Sequence, residues 1–192
     1  MKGDNCSFEI PLDFFTFYST KSQGYQLIEN FKALFPRVNM KNLTITDGTS
    51  GIGGNSLFFC KYFGYVNCVE VDKNTAFILN KNLKKYFNKT VIIGNYLEHF
   101  QGLKQDVIFL DPPWGEDYIN SKRNSSYINL YLSGFDVNHL ISLLYDHCKL
   151  LILKAPMNFK FKYVNKWSSK RFLIYSNGKI IYYLYFYYKN VR

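Results

Sequence analysis

The segment that most restricts how this chain can fold is Asp47-Gly48-Thr49-Ser50-Gly51-Ile52-Gly53-Gly54-Asn55. It joins a short apolar run, Leu43 to Thr46, to a second run of helical spacing, Asn55 to Phe63, closed by Gly64. A strand that passes through glycines straight into a helix opens an α/β sheet, and in open sheets ligands sit at the carboxyl ends of the strands. Glycine lets the backbone approach a ligand with no Cβ in the way.

The remainder repeats that alternation. Val66 to Val71, Val91 to Ile93, Val107 to Leu110 and Leu150 to Leu153 are apolar runs of strand length. Asn74 to Phe87 and Val137 to Cys148 have helical spacing, the second with Asp136 as its cap. Strands alternating with helices predict a parallel sheet covered on both faces. Phe172 to Tyr175 and Ile180 to Tyr188 flank Ser176-Asn177-Gly178-Lys179, a hairpin signal that adds an antiparallel edge. Ahead of the sheet, Tyr25, Ile28, Phe31, Leu34 and Phe35 mark a helix that Pro36 stops. The expected architecture is α/β: a Rossmann-like, mostly parallel sheet with a C-terminal hairpin. It forms one domain, with residues 1–40 as an N-terminal helical extension and 41–192 as the core.

The glycine turn is not the dinucleotide fingerprint GxGxxG. It reads Gly51-Ile52-Gly53-Gly54 behind an acidic strand end. Asp47 would repel a pyrophosphate but suits the cationic methionine end of S-adenosylmethionine. Thr49, Gly51, Gly53 and Asn55 complete the candidate cofactor turn. Glu70 ends the second strand, where a carboxylate reaches both ribose hydroxyls. Asn95, just past the third strand, is placed for the adenine edge.

Asp111-Pro112-Pro113-Trp114-Gly115 follows the fourth strand and therefore shares the same sheet edge. An exocyclic base amine is a poor nucleophile, because its lone pair is delocalised into the ring. Oxygens that accept its N–H bonds push it toward sp3 character as a methyl group arrives. Asp111, which also borders the cofactor, and the Pro112 carbonyl are the candidates for that work. Two prolines stiffen the backbone and remove two N–H donors. Trp114 offers a flat face on which a base can stack.

Composition narrows the partner. A formal charge of +10 points to a polyanion, nucleic acid ahead of an acidic membrane. Cys6, Cys60, Cys68 and Cys148 form no CxxC pair, and His99, His139 and His147 do not join them at ligand spacing, so no metal site is expected. Reduced thiols and the lack of a signal-peptide core near Asp4, Glu9 and Asp13 predict an intracellular protein, nuclear or cytoplasmic. Neither a membrane span nor an obligate oligomer is expected. Lys81, Lys84, Lys85 and Lys89 read as a solvated helix face. Lys122 and Arg123 are candidates for phosphate contact.

Together these residues resemble the RNA cap guanine-N2 methyltransferases, the trimethylguanosine synthases. That family shows a strand-end acid, then GxGGN, and later PPWG, here Asp47, Gly51-Ile52-Gly53-Gly54-Asn55 and Asp111-Pro112-Pro113-Trp114-Gly115. Lys154-Ala155-Pro156-Met157-Asn158 resembles the family's Pro-Arg-Asn stretch. The resemblance, from about residue 14 onward, implies a class I methyltransferase using S-adenosylmethionine on guanine N2 of a 7-methylguanosine cap. It implies that Asp47, Glu70 and Asn95 hold the cofactor, that Asp111 and Pro112 orient the amine, and that Trp114 stacks on the cationic base. Phe17, Tyr18 and Lys21 would cover the cap, with Lys154 and Asn158 completing the substrate side. The chain departs from the family pattern at Asn95 in place of Asp, at Glu116-Asp117 in place of Gly-Pro, and at Met157 in place of an Arg that contacts cap phosphates. The tetrapeptide is also compatible with guanine N2 of ribosomal RNA or adenine N6 of RNA or DNA. The departures at Asn95 and Met157 leave open a catalytically silent fold that binds RNA or a partner.

Overall fold

A computed structural model of the protein describes residues 8–11, 19–115, 118, 120, 126–164 and 166–189. Cys6, Phe17, Tyr18, Glu116, Asp117, Lys122 and Arg123 lie outside the described residues. In chain order the elements are α1 (Lys21–Leu34), β1 (Thr44–Asp47), α2 (Ser56–Tyr62), β2 (Tyr65–Glu70), α3 (Lys73–Asn82), β3 (Lys89–Ile93) and α4 (Tyr96–His99). They continue with β4 (Val107–Leu110), β5 (Tyr131–Leu132), β6 (Phe135–Asp136), α5 (Val137–Leu143), β7 (Leu150–Ala155), β8 (Ser168–Ser176) and β9 (Lys179–Tyr188).

Seven strands form one sheet in the order β3-β2-β1-β4-β7-β9-β8. The first five run parallel, and β9 runs antiparallel to both β7 and β8. The chain winds outward from β1 to β3, then returns through β4 and β7 on the other side. That reversal opens a crevice at the carboxyl ends of β1 and β4, where doubly wound sheets bind ligands. Asp47 and Asp111 stand at those two ends.

The central strands read as unbroken apolar runs because both faces are covered. Phe109, Ile152, Leu184 and Phe186 face a core with Leu27, Ile28 and Phe31 of α1, Phe59 of α2 and Leu79 of α3. Their alternates Ile108, Leu110, Leu151, Leu153 and Tyr187 face the opposite core, with Tyr96 of α4 and Val137, Leu140 and Ile141 of α5. Phe59 meets Phe109 edge-on at 5.1 Å, a pairing that adds about 0.5–1.5 kcal/mol to simple burial. Asn177 and Gly178 both take positive φ, 49° and 74°, the pair a type I′ hairpin turn requires.

Element boundaries depart from the sequence expectation where a side chain or a strand edge intervenes. The second predicted helix, α3, stops at Asn82, five residues short of Phe87. Asn82 is buried and spends its amide on the Ile52 and Glu9 carbonyls at 2.8 and 2.9 Å. Phe87 beyond it is 95% exposed, so further helix would bury nothing. α5 gives way after Leu143 to a tighter 3-10 turn, Leu144–His147. β8 starts at Ser168 rather than Phe172, and α4, β5 and β6 had no expected counterpart. Among the described residues, no helix is long and apolar enough to cross a membrane.

Candidate active site

The turn after β1 is built around two carboxylates. Asp47 is fully buried; its Oδ2 accepts from Ser56 Oγ at 2.6 Å and its Oδ1 from the Thr49 N–H at 3.4 Å. Burial pushes its carboxyl up to about 7, against those two hydrogen bonds and helped by the nearby Asp111 and Glu70 charges. Glu70, at the end of β2, accepts the Gly51 N–H on Oε2 at 2.8 Å and the Asp72 N–H on Oε1 at 3.0 Å. Each of its oxygens keeps a second lone pair, as ribose recognition requires. Gly51 and Gly53 take φ of 53° and 97°, which only glycine adopts without strain. A Cβ on Gly51 would meet nothing within 4 Å, so this corner of the turn is open. Asn55 is buried and precedes α2, where its carbonyl accepts the Phe58 and Phe59 N–H groups.

The Asp111 segment lies beside that turn. The Asp111 N–H donates to Thr49 Oγ1 at 2.7 Å, tying the two strand ends together. Asp111 Oδ2 lies 2.6 Å from Lys154 Nζ, with the two side chains 19% and 7% exposed. Burial pushes the Asp111 carboxyl upward, and the Lys154 charge opposes it. Pro112 is buried and Trp114 half-buried. Trp114 meets Tyr118 edge-on at 4.8 Å and Tyr182 at 6.3 Å. Its indole N–H is buried without a partner among the described residues, an uncommon state for a native side chain.

The remaining expected residues are more dispersed. Asn95 caps α4, and its Oδ1 accepts from the Leu97 N–H at 3.1 Å and from Ser133 Oγ at 2.9 Å. The amide oxygen expected to meet adenine N6 therefore already has two donors. Lys154, expected to offer charge to substrate, points its ammonium at Asp111 and Ser19 Oγ, which uses two of its three N–H donors. Lys21 begins α1 and is exposed. Asn158 follows the end of β7 and donates to the Ser126 carbonyl at 2.8 Å. Met157 beside it is 49% exposed.

Three neighbours had no sequence signal. Ser56 binds Asp47 from nine residues away, Ser133 reaches Asn95 from the β5–β6 turn, and Ser19 touches Lys154. Ser19 also runs along the glycine turn: a Cβ on Gly54 would come within 3.0 Å of the Ser19 nitrogen. This close approach, which only Gly54 permits, brings the chain entering α1 over the site.

The model of the RNA cap guanine-N2 methyltransferase family matches residues 42–189. Uncharacterized protein L320 of Acanthamoeba polyphaga mimivirus is 36% identical over 142 residues, 70% of this chain and 54% of that protein. Trimethylguanosine synthase of Schizosaccharomyces pombe is 31% identical over 102 residues, 48% of this chain and 42% of that protein. The chain thus spans about half the length of the curated relatives it matches. Among solved structures, yhhF of Escherichia coli, described as a methyltransferase, superposes with a TM-score of 0.64 at 17% identity, covering 96% of this chain and 92% of that one. At that identity the likeness shows the fold: a Rossmann-like class I methyltransferase sheet with an antiparallel C-terminal hairpin.

Proposed function

The chain belongs to the RNA cap guanine-N2 methyltransferase family, and from that premise we propose that it methylates the exocyclic N2 amine of guanine, on a 7-methylguanosine RNA cap, using S-adenosylmethionine. The observation that carries this reading is the junction of the Asp-Pro-Pro-Trp segment with the glycine turn through the 2.7 Å bond from the Asp111 N–H to Thr49. The cofactor suits the donor set. Asp47, Glu70 and Asp111 bring three carboxylates to one edge, matched to a ligand with a cationic ammonium and a cationic sulfonium. When bound, S-adenosylmethionine supplies an electrophilic methyl group. Glu70 takes the ribose hydroxyls, and Asp47 favours the ammonium. Asp111 accepts an N–H of the guanine amine and turns its lone pair toward the methyl carbon. Trp114 fixes the plane of the base. Asp111 and solvent would be placed to take the surplus amine proton. Rate comes from alignment rather than from a strong base.

The test is transfer of labelled methyl to a panel of 7-methylguanosine diphosphate, guanosine diphosphate, adenosine and uncapped RNA. Label confined to the 7-methylguanosine acceptor is expected; equal labelling of unmethylated guanine would overturn the cap assignment. Met157 favours one second reading. An exposed thioether there carries no charge for a cap triphosphate, which suits an internal guanine or adenine amine better than a cap.

A further inference from the structure

Lys154 occupies a place that lysines rarely take. It is 6% exposed, on β7 among Leu151, Ile152, Leu153 and Ala155. Its ammonium touches Asp111 Oδ2 at 2.6 Å and Ser19 Oγ at 3.1 Å, with the Tyr182 and Trp114 ring centroids at 4.7 and 5.9 Å. Withdrawing an ammonium from water costs several kcal/mol, and a well-packed apolar residue usually serves structure as well or better. The pair instead fixes the geometry of one carboxylate. The Asp111 backbone is tied to Thr49, Oδ2 is tied to Lys154, and Oδ1 takes no hydrogen bond among the described residues.

We propose that Lys154 is a positioning residue for methyl transfer: it holds Asp111 Oδ2 down and leaves Oδ1 as the one oxygen that receives an N–H of the acceptor amine. This rests on the function proposed above and assigns Lys154 to Asp111 rather than to substrate phosphate. The sign of the effect follows from hydrogen-bond chemistry. An ionised Asp111 only accepts, which draws the amine lone pair toward the methyl group. A protonated Asp111 would donate to that lone pair and block it. The groups facing Asp111 are Asp47, Lys154 and the Tyr182 phenol, and of these only Lys154 favours the ionised form.

Lys154→Met removes the charge at similar length. Measured on the full chain, its cofactor affinity is expected to stay within about 3-fold of wild type, while kcat falls about 10- to 100-fold near neutral pH. The lost rate should return as pH rises, because a buried, unpaired Asp111 ionises late. In parallel, the Asp111 carboxyl carbon resonance should titrate higher in the variant than in wild type. A kcat loss of equal size at every pH, or an unmoved titration, would overturn the proposal. If Lys154→Met does not fold, Asp111→Asn combined with Lys154→Met removes both charges. Its activity should match that of Asp111→Asn alone within about 2-fold, and a further loss of about 10-fold would show that Lys154 acts elsewhere. The titration uses no acceptor, so a wild-type chain that methylates no guanine would sink the proposed function while leaving the Lys154–Asp111 coupling to be judged by itself.

Discussion

Asn95 spends its oxygen within its own neighbourhood, on Leu97 and Ser133, so an adenine N6 amine arriving there finds no free acceptor on it. Aspartate at this position would keep the cap of α4 and add a second oxygen. Asn95→Asp is therefore expected to tighten cofactor binding by about 5-fold, the worth of roughly one hydrogen bond. Calorimetry decides this, and unchanged or weaker binding would place the adenine elsewhere. Asp47 supports a pH prediction. Its folded carboxyl, raised to about 7, binds a proton more tightly than the unfolded one, near 4. Stability from this group is therefore full below about pH 4 and declines as pH rises through about 7. Cofactor binding runs the other way. A bound cation favours the carboxylate, so binding near pH 6 should release a proton and affinity should climb toward about pH 7 before levelling. Titrations in two buffers of different ionisation enthalpy read the released proton directly, and heats that match after correction for nothing but dilution would refute the linkage.

At the scale of elements, the join between α1 and α2 is the most exacting contact near the site. Gly24 faces the Phe58 ring so closely that a Cβ would overlap it, and both residues belong to the packed interior. Gly24→Ala gains helix propensity but must push α1 off α2, for a net loss of about 1–3 kcal/mol. In a chain of this size that lowers Tm by roughly 2–12 °C, which a thermal melt measures; an unchanged Tm would mean that Phe58 swings aside freely. Legibility in the sequence followed length and periodicity. β4 was readable to the residue because Val107 to Leu110 is apolar and bounded by Asp111. α1 was readable as an element, although Tyr25, counted on its apolar face, is 44% exposed. α4 has four residues and β5 and β6 have two each, too short for any period to show. The first half of β8, Ser168 to Arg171, is polar because it lies on the sheet's outer edge, and only its pairing with β9 makes it a strand.

For the molecule as a whole, the strand order turns scattered motifs into one place. Asp47 and Asp111 are 64 positions apart in sequence, yet β1 and β4 are neighbours and end together. That convergence was legible, since the alternation of strands and helices predicts it. The pairing of Asp111 with Lys154 was not, because nothing local in Leu153-Lys154-Ala155 indicates which way the lysine points. Charge is the remaining whole-molecule property, and it reaches beyond the base pocket. Of the net +10, the exposed Lys160 and Lys162 follow the end of β7, on the chain leaving the site edge. Lys162 has Asp136 only at 3.9 Å, so these charges are not strongly paired within the fold. An RNA continuing from a base held at Trp114 would meet them, and each phosphate neutralised on a single strand adds about 0.7 to the slope of log KM against log salt. For two contacts, KM for a long capped RNA should rise about 7-fold between about 50 and 200 mM salt, while a cap dinucleotide should change far less. Combining Lys160→Gln with Lys162→Gln should lower the slope for the long RNA by about 1.4 and leave the dinucleotide untouched. Parallel slopes for the two substrates would mean that the surplus charge serves no RNA path on this face.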